Sequence, residues 1–302
     1  MEIEIETLNG SYKLIGNDDV NIGLIKRRIQ KYDYELQFDK EAYITYKGQK
    51  LNDHEVLGNI KKLQLVMKNF PSYYSIIKHH FGIKSIFLDI FTIIISVLFL
   101  ASCSQIGFYL PMTWSNYIFI KDQVPVTFQT FAVFLLGPFL GLKMSVSVTL
   151  LYWILIAAGA PFGANQKGGL ITAYGSTGGY FLGFVIGSSI TSLLSSRGYD
   201  RNWRSAIFLM VITNIIIYIC GITWMPFGIS VVKNISVNKV SCGFGYGCFG
   251  NIFMWGFIPF IPGDIIKILL AWIILPLGWK YLTRLSTKEK IIISENNNLD
   301  VI

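Results

Sequence analysis

Two charged side chains lie inside an otherwise apolar segment, GFIPFIPGDIIKILLAWIILPLGW, and are the first candidates for chemistry. Asp264 and Lys267 are three positions apart, so a helix places both on one face. A charge at the centre of a membrane span costs roughly 2.5–3.5 kcal/mol on insertion scales, so such groups face a cavity or each other. Pro262-Gly263 just before them predicts a helix start with free backbone N–H groups. This face binds a small polar molecule, or the two charges form a buried ion pair that only fixes helix packing, or the pair lies in the membrane interface.

Two glycine-rich polar runs form a second candidate cluster. The first is Asn165-Gln166-Lys167-Gly168-Gly169, and the second extends from Tyr174 to Tyr180. Glycines let a backbone approach a ligand closely, but they suit close packing of two helices equally well. The candidate site residues in these runs are Asn165, Thr177, Gly178, Gly179 and Tyr180.

A third polar strip, QVPVTFQTF, occupies residues 123–131 and leads into the second apolar segment. Thr127, Gln129 and Thr130 offer hydrogen-bond donors and acceptors, either to a ligand or to neighbouring helices. Gln129 is its candidate site residue. With the helices arranged as described next, all three clusters lie at the outer end of the bundle, which predicts a pocket open to the outside.

The elements that position these residues are membrane helices. The chain has 302 residues, of which 52% are hydrophobic and 15% charged, a composition that excludes a disordered or collagen-like chain. Residues 85–285 contain only 15 charged residues, in short clusters between long apolar runs. Since a spanning helix needs about 20 apolar residues, we expect six spans. They lie near 86–108, 126–142, 144–162, 170–194, 205–228 and 252–279.

The net charge of +8 indicates orientation rather than nucleic-acid binding. Residues 1–69 hold 11 basic and 11 acidic residues, so the whole basic excess belongs to the apolar part. With the N-terminus inside, the cytosolic segments beyond residue 69 carry ten Lys and Arg, and the outer loops carry four. This asymmetry predicts a multi-pass protein of the plasma membrane with both termini in the cytosol. Cys242 and Cys248 flank an outer loop, where a disulfide and free thiols both remain open, and Asn234 begins a glycosylation triplet there.

Catalytic patterns are missing from the sequence. It contains no GxxxxGK[ST] segment, so it has no P-loop for a nucleotide. The three histidines, His54, His79 and His80, precede the first span, and no cluster of His, Cys and carboxylates predicts metal or hydrolytic chemistry. We therefore expect a protein that is not an enzyme and that uses no cofactor or metal.

The N-terminal residues predict a mixed sheet with one packed helix. Residues 2–7 and 12–15 alternate polar and apolar side chains around the turn Asn9-Gly10, and Ile22, Ile25 and Ile29 repeat at helical spacing. MEIEIETLNG, GLIKRRIQ, YKGQKLND and LQLVMKN resemble ubiquitin in order and spacing. This resemblance implies a small α+β ubiquitin-like (β-grasp) domain over residues 1–69. It lacks ubiquitin's diglycine tail, so either it docks a cytosolic partner or it is an inherited fusion without one.

The three membrane motifs together resemble the BioY family, the substrate-binding membrane component of energy-coupling-factor biotin transporters. VPVTFQTFAVFLLGPFLG, STGGYFLGF and PFIPGDIIK match its VPVT-Q, TGGY-LGF and P-PGD--K patterns, and the resemblance covers residues 86–280. It implies a six-helix bundle that holds biotin near the extracellular side. It also implies that Asp264 and Lys267 contact the ligand, while Asn165 and the stretch Thr177 to Tyr180 line the site.

One position and one span depart from the family pattern. Ser176 stands where the family usually has proline, and the first span, DIFTIIISVLFLASCSQI, lacks the Ala-x-x-x-Ala strip with which the family docks its coupling component. The energy source is therefore open between a coupling module, a homo-oligomer acting as a facilitator, and proton coupling through Asp264.

The resulting expectation is an α-helical integral membrane transporter that takes up biotin through an outward-facing pocket. Its predicted parts are a ubiquitin-like domain (1–69), a linker (70–85), a six-helix membrane domain (86–285) and a polar cytosolic tail (286–302). A transporter of another vitamin, and a membrane-anchored ubiquitin-like adaptor, remain as alternatives.

Overall fold

The computed structural model describes residues 2–7, 10–15, 22–23, 25–27, 43–46, 49–52, 54, 62–66, 71–80, 86–108, 125–233, 253 and 256–297. The chain divides into two compact units. One comprises Met1–Ile83, Ser196–Gly198 and Leu277–Ile302, and the other comprises Lys84–Ser195 and Tyr199–Pro276. The predicted glycosylation triplet and the loop with Cys242 and Cys248 lie outside the described residues.

The first unit contains a five-stranded mixed sheet. Its strands are β1 (Glu2–Thr7), β2 (Gly10–Ile15), β3 (Tyr43–Tyr46), β4 (Gln49–Lys50) and β5 (Lys62–Val66). They lie in the order β2-β1-β5-β3-β4; β1 and β5 are parallel and the other neighbours are antiparallel. The antiparallel pairing of β1 with β2, from Glu2 with Ile15 to Thr7 with Gly10, confirms the predicted hairpin, but Gly10, predicted in the turn, is the first residue of β2. Residues 22–23 and 25–27 are helical, and Ile22 and Ile25 are buried, as are Ile44 and Leu63.

The same unit contains helix α1 (Tyr73–His80) and the end of the last helix of the chain. The ring centroids of Tyr73 and Trp279 are 4.0 Å apart, and both side chains are buried. A side chain at Gly278 would collide with the Tyr73 ring, since an added Cβ would lie 2.8 Å from its hydroxyl oxygen. The close approach of Tyr73 to the helix therefore depends on Gly278.

Helices make up most of the second unit. They are α2 (Ile86–Gln105), α3 (Gln129–Leu140), α4 (Leu142–Ala157), α5 (Leu170–Tyr174), α6 (Gly178–Ser195), α7 (Trp203–Lys233) and α8 (Ile261–Asn297), of which α8 continues into the first unit. Two short strands, β6 (Gly107–Phe108) and β7 (Val126–Thr127), pair in front of α3. Within the described ranges, four segments are long and apolar enough to cross a membrane, namely Ile86–Gln105, Gly178–Ser195, Trp203–Ser230 and Ile258–Tyr281. The apolar helices α3 and α4 are shorter, with 12 and 16 residues.

The predicted fourth span, 170–194, is wrong as a single helix. The chain leaves the helix after Tyr174 and begins a new one at Gly178. Trp224 of α7 donates its indole N–H to the backbone oxygen of Gly175 at 3.1 Å, with a longer contact to that of Tyr174 at 3.3 Å. A broken helix is tolerated in a membrane where neighbouring groups satisfy the freed backbone, and Trp224 supplies such a group.

The predicted sixth span, 252–279, differs from the observed helix at both ends. A 3-10 turn at Ile258–Phe260 leads into α8, which begins at Ile261. This start agrees with the expectation drawn from Pro262-Gly263, because proline is accommodated in the first turn of a helix. At the other end α8 continues to Asn297 through most of the predicted polar tail, 286–302.

Helix α6 lies at the centre of the second unit and packs on α7, α3 and α4. Small hydroxyl side chains pair across these contacts: Ser145 with Ser192 at 2.9 Å, Thr149 with Ser188 at 3.3 Å, and Thr191 with Thr213 at 3.3 Å. Gly183 lies against the backbone of Ile217, since an added Cβ would be 2.9 Å from its Cα. Small residues and hydroxyl pairs are the means by which membrane helices approach closely.

We expect Gly183→Ala to separate α6 from α7 and to lower the free energy of unfolding by about 1–3 kcal/mol, because the new methyl group meets rigid backbone. Gly187→Ala is the matched control on the same helix, since the three atoms nearest to its methyl group would be side-chain carbons of Ile217 and Thr213, at 3.2–3.4 Å. Unfolding of both variants in detergent, followed by circular dichroism, measures the difference. Equal stability of the two variants would contradict the backbone contact.

Candidate ligand-binding site

The site is built around the start of α8. Asp264 lies in the first turn of this helix, where the helix dipole and free N–H groups favour a negative charge. Its side chain is buried, with the residue 4% exposed. The local sequence produces this arrangement, because Pro262 suits a helix start and Gly263 allows close contact: an added Cβ there would collide with Val126 of β7.

Lys267 pairs directly with Asp264. Its Nζ lies 2.6 Å from Asp264 Oδ1, and the residue is only 2% exposed. The ammonium group also donates to Thr130 Oγ1 of α3 at 3.0 Å. A lysine has three donors, and the described residues accept two of them. The pair is thus a buried, hydrogen-bonded ion pair that connects α8 with α3.

Helix α7 supplies the donors for the second oxygen of the carboxylate. The Tyr218 hydroxyl and the Asn214 side-chain amide both donate to Asp264 Oδ2, the amide at 3.2 Å. Both oxygens of Asp264 therefore have partners, from two different helices. This set of donors stabilises the ionised carboxylate in an interior where an unpaired charge would be costly.

Aromatic rings lie beside this polar group. Tyr180 of α6 has its ring centroid 6.2 Å from that of Tyr218 and 6.4 Å from that of Phe260. The Tyr218 ring meets the edge of Phe257 at 4.8 Å, and the Tyr180 hydroxyl donates to the Gly256 carbonyl at 2.6 Å. Aromatic surface next to a few polar groups is the usual lining of a small-molecule site.

Gln129 and Asn165 lie in a second polar network. The Gln129 amide donates to the Tyr152 hydroxyl at 2.7 Å and accepts from Thr127 at 2.8 Å, and Tyr152 donates to the Phe162 carbonyl at 2.7 Å. Asn165 lies in the loop beyond Phe162, in an exposed 3-10 turn with a positive φ of 57°. Asparagine adopts this left-handed backbone more readily than most residues. Gln129 is adjacent in sequence to Thr130, the partner of Lys267.

The remaining predicted residues lie at the junction of α5 and α6. The Thr177 hydroxyl donates to the Thr172 carbonyl at 3.2 Å and so closes the turn. Gly178 and Gly179 are buried against Trp224, and an added Cβ at Gly178 would lie 2.8 Å from the indole nitrogen. These contacts favour the close-packing alternative for the two glycines, whereas Tyr180, which follows them, reaches the aromatic surface near Asp264.

Sequence reasoning missed Asn214 and Tyr218 as site residues. The sequence does contain a signal for Asn214, since this amide lies within the apolar run VITNIIIYIC. Polar residues inside a span are costly, as charges are, and they usually mark a functional site. Tyr218 follows four positions later, which places both on one face of α7. The sequence predicts Thr130 as a hydrogen-bond donor and acceptor, but its pairing with Lys267 depends on how α3 and α8 pack.

Comparison with known proteins identifies the family. Residues 78–284, more than half of the chain, match the BioY family. The chain belongs to the BioY family. The biotin transporter BioY of Thermotoga maritima is 34% identical over 49% of this chain and 76% of its own length. The probable biotin transporter BioY of Pyrococcus horikoshii is 35% identical over 50% of this chain and 78% of its own, and the BioY of Rhizobium etli is 28% identical over 59% and 88%.

Among solved structures, the chain is similar to the S-component for biotin from an ECF-type ABC transporter. That match has a TM-score of 0.48 at 20% sequence identity and covers 64% of this chain and 90% of the other.

The buried pair predicts a large energetic coupling between Asp264 and Lys267. Asp264→Asn and Lys267→Met, made singly, each leave an uncompensated buried charge and should lower the free energy of unfolding by about 3–5 kcal/mol. The double variant should lose much less than the sum. A double-mutant cycle in detergent-solubilised protein, followed by denaturant or thermal unfolding, measures this coupling. Additive losses would show that the two side chains do not interact.

Proposed function

We propose that this BioY-family chain is a membrane transporter that binds and takes up biotin, and not an enzyme. The observation that carries this proposal is the buried Asp264–Lys267 pair at the start of an apolar helix, next to the rings of Tyr180 and Tyr218. The curated relatives named above are called biotin transporters, which supports the choice of substrate.

Biotin matches the chemistry of this site. Its ureido group needs both donors and acceptors, its carboxylate needs a cation or N–H groups, and its bicyclic ring needs apolar or aromatic walls. Asp264 and Lys267 supply charged partners, and Tyr180 and Phe260 supply ring surface. The proposed contacts are Asp264, Lys267, Asn165, Gln129, Thr177 and Tyr180. Gly178 and Gly179, also candidates from the sequence, act instead through close packing against Trp224.

The proposed architecture is a bundle of six spans over residues 86–285. In it α3 and α4 are the second and third spans, although they are shorter than the four candidate spans, and α5 with α6 is the fourth. The proposed location is the plasma membrane, with both termini in the cytosol and the pocket facing outward, and the distribution of basic residues between the loops supports this orientation.

Transport needs an energy source or a gradient. The sequence lacks a P-loop, so ATP hydrolysis would be supplied by a separate energy-coupling module. A homo-oligomer acting as a facilitator, and proton coupling through Asp264, are the other two routes. Uptake by cells that express this chain alone separates the first route from the other two, and dissipating the proton gradient separates those two from each other.

Cells expressing the chain should accumulate labelled biotin, or bind it at the membrane where coupling is missing. Asp264→Asn and Lys267→Ala should each weaken binding at least about thirtyfold, because each leaves a buried charge without its partner. Lys143→Ala is the matched control, since Lys143 is an exposed lysine at the start of α4. Normal binding by the doubly changed, membrane-inserted protein would overturn the site assignment.

Competition tests the choice of vitamin. Unlabelled biotin should displace labelled biotin, whereas thiamine and riboflavin at the same concentration should not. Displacement by either of these at lower concentration than biotin would overturn the substrate assignment and would favour a transporter of another vitamin.

We further propose that residues 1–69 form a ubiquitin-like domain that docks a cytosolic partner. The support is the sheet order β2-β1-β5-β3-β4 with a parallel β1–β5 pair, together with the helical residues 22–23 and 25–27, of which Ile22 and Ile25 are buried. Residues 70–85 are the proposed linker, and residues 286–302 the proposed cytosolic tail. The competing interpretation of the whole chain is an adaptor in which the spans only anchor this domain.

Deleting residues 1–69 distinguishes the two interpretations. A transporter should keep biotin affinity within about twofold, because the residues of the described part of the chain that hydrogen-bond to Asp264 and Lys267, namely Thr130, Asn214 and Tyr218, all lie beyond residue 125. The measurement is equilibrium binding of labelled biotin to membranes holding equal amounts of each protein. Loss of binding by a truncated protein that still inserts would count against this separation of roles.

A further inference from the structure

We infer that Asn214 is a ligand contact that determines specificity: its side-chain carbonyl oxygen accepts a hydrogen bond from an N–H group of the bound molecule. This inference rests on the proposed function, because it concerns the same site. It assigns a role to helix α7, which none of the sequence motifs covers.

The orientation of the Asn214 amide follows from its neighbour. Its Nδ2 lies 3.2 Å from Asp264 Oδ2 and donates to it. The reverse orientation would place the amide oxygen against a carboxylate oxygen, two acceptors without a proton between them. The amide nitrogen therefore faces Asp264, and the carbonyl oxygen must point elsewhere.

That carbonyl oxygen, Asn214 Oδ1, is buried and has no hydrogen-bond partner among the residues that the structure describes. Burying an acceptor without a donor costs about 1–3 kcal/mol of folding free energy, and native proteins contain few such groups. In a binding site, the natural explanation is a donor that arrives with the ligand.

The other polar groups here define what kind of ligand supplies that donor. Both oxygens of Asp264 are already engaged, by Lys267 on one side and by Tyr218 and Asn214 on the other. Within the described part of the chain, Lys267 uses two of its three N–H donors in hydrogen bonds, to Asp264 and Thr130. Among the described residues, the site thus offers Asn214 Oδ1 as a buried acceptor without a partner, and a further donor on Lys267.

A cyclic urea has the complementary groups, an N–H beside a carbonyl oxygen. Asn214 and Lys267 hydrogen-bond opposite oxygens of the same carboxylate, so they are close enough to address neighbouring atoms of one small ring. In this arrangement Asn214 accepts from one ureido N–H, and Lys267 donates to the ureido carbonyl.

The test compares biotin with its two cyclic carbamate analogues, in each of which a ring oxygen replaces one ureido N–H without added bulk. Binding is measured on the full-length purified protein. For one of the two analogues, the unchanged protein should bind about tenfold more weakly than biotin, because Asn214 Oδ1 loses its donor. Asn214→Leu should bind biotin more weakly and should reduce this tenfold preference to about twofold or less.

Tyr218→Phe is the matched control. It also removes a donor to Asp264 from α7, but it leaves Asn214 Oδ1 in place. Tyr218→Phe should weaken the binding of biotin and of the discriminating carbamate by the same factor, so the tenfold preference for biotin should remain. Asn214→Ser, which is smaller and polar, serves as the second variant in case the leucine does not fold, and its preference should also fall.

A preference that survives in both Asn214 variants overturns the inference, because Asn214 would then act only by positioning Asp264. The same conclusion follows if the unchanged protein binds biotin and both carbamates equally well. Failure of the unchanged protein to bind biotin at all is a different result, since it overturns the proposed function and this inference with it.

Discussion

The burial of one carboxylate and one ammonium group constrains everything around them. Asp264 and Lys267 are almost fully shielded from solvent, and in a low-dielectric interior their attraction offsets desolvation only when the remaining hydrogen-bonding capacity is also filled. Three further side chains, Thr130, Asn214 and Tyr218, fill most of this capacity, and one Lys267 donor is left without an acceptor among the described residues. Because these come from α3 and α7, the pair fixes how three helices meet.

Close packing between α6 and α7 brings an aromatic ring next to the ion pair's partner Tyr218. Gly179 and Gly183 let the backbone of α6 approach α7 without intervening side chains, and Tyr180 between them turns its ring toward Tyr218. The break before Gly178 is stabilised by Trp224, on the same stretch of α7. The glycine-rich motif therefore contributes to the site mainly by bringing Tyr180 and α7 together, as small residues do at membrane helix interfaces.

The polar clusters read from the sequence differ in how directly they reach this centre. Asp264, Lys267 and Tyr180 are contiguous through Tyr218, whereas Gln129 lies one residue from Thr130 and holds Tyr152 instead. Asn165 is exposed in a turn supported by Gln105, whose amide donates to the Gly163 carbonyl at 2.9 Å. In the structure the predicted site residues therefore belong to different groups: those at the ion pair, and those in the hydrogen-bond network around Gln129 and Tyr152 or in the turn at Asn165. The order of the motifs in the sequence does not show this division.

Local pattern alone determined the apolar helices, the hairpin of β1 and β2, and the shared helical face of Asp264 and Lys267, because hydrophobic runs, turn residues and i, i+3 spacing depend only on neighbours in the chain. Tertiary structure decided which group satisfies the backbone freed by the split of the predicted fourth span, since Trp224 lies about fifty positions away. The partners of the ion pair were decided in the same way: Thr130 is 137 positions from Lys267, and Asn214 is 50 from Asp264. A single sequence shows which polar groups must be satisfied in a membrane, but only the packing of the helices selects the groups that satisfy them.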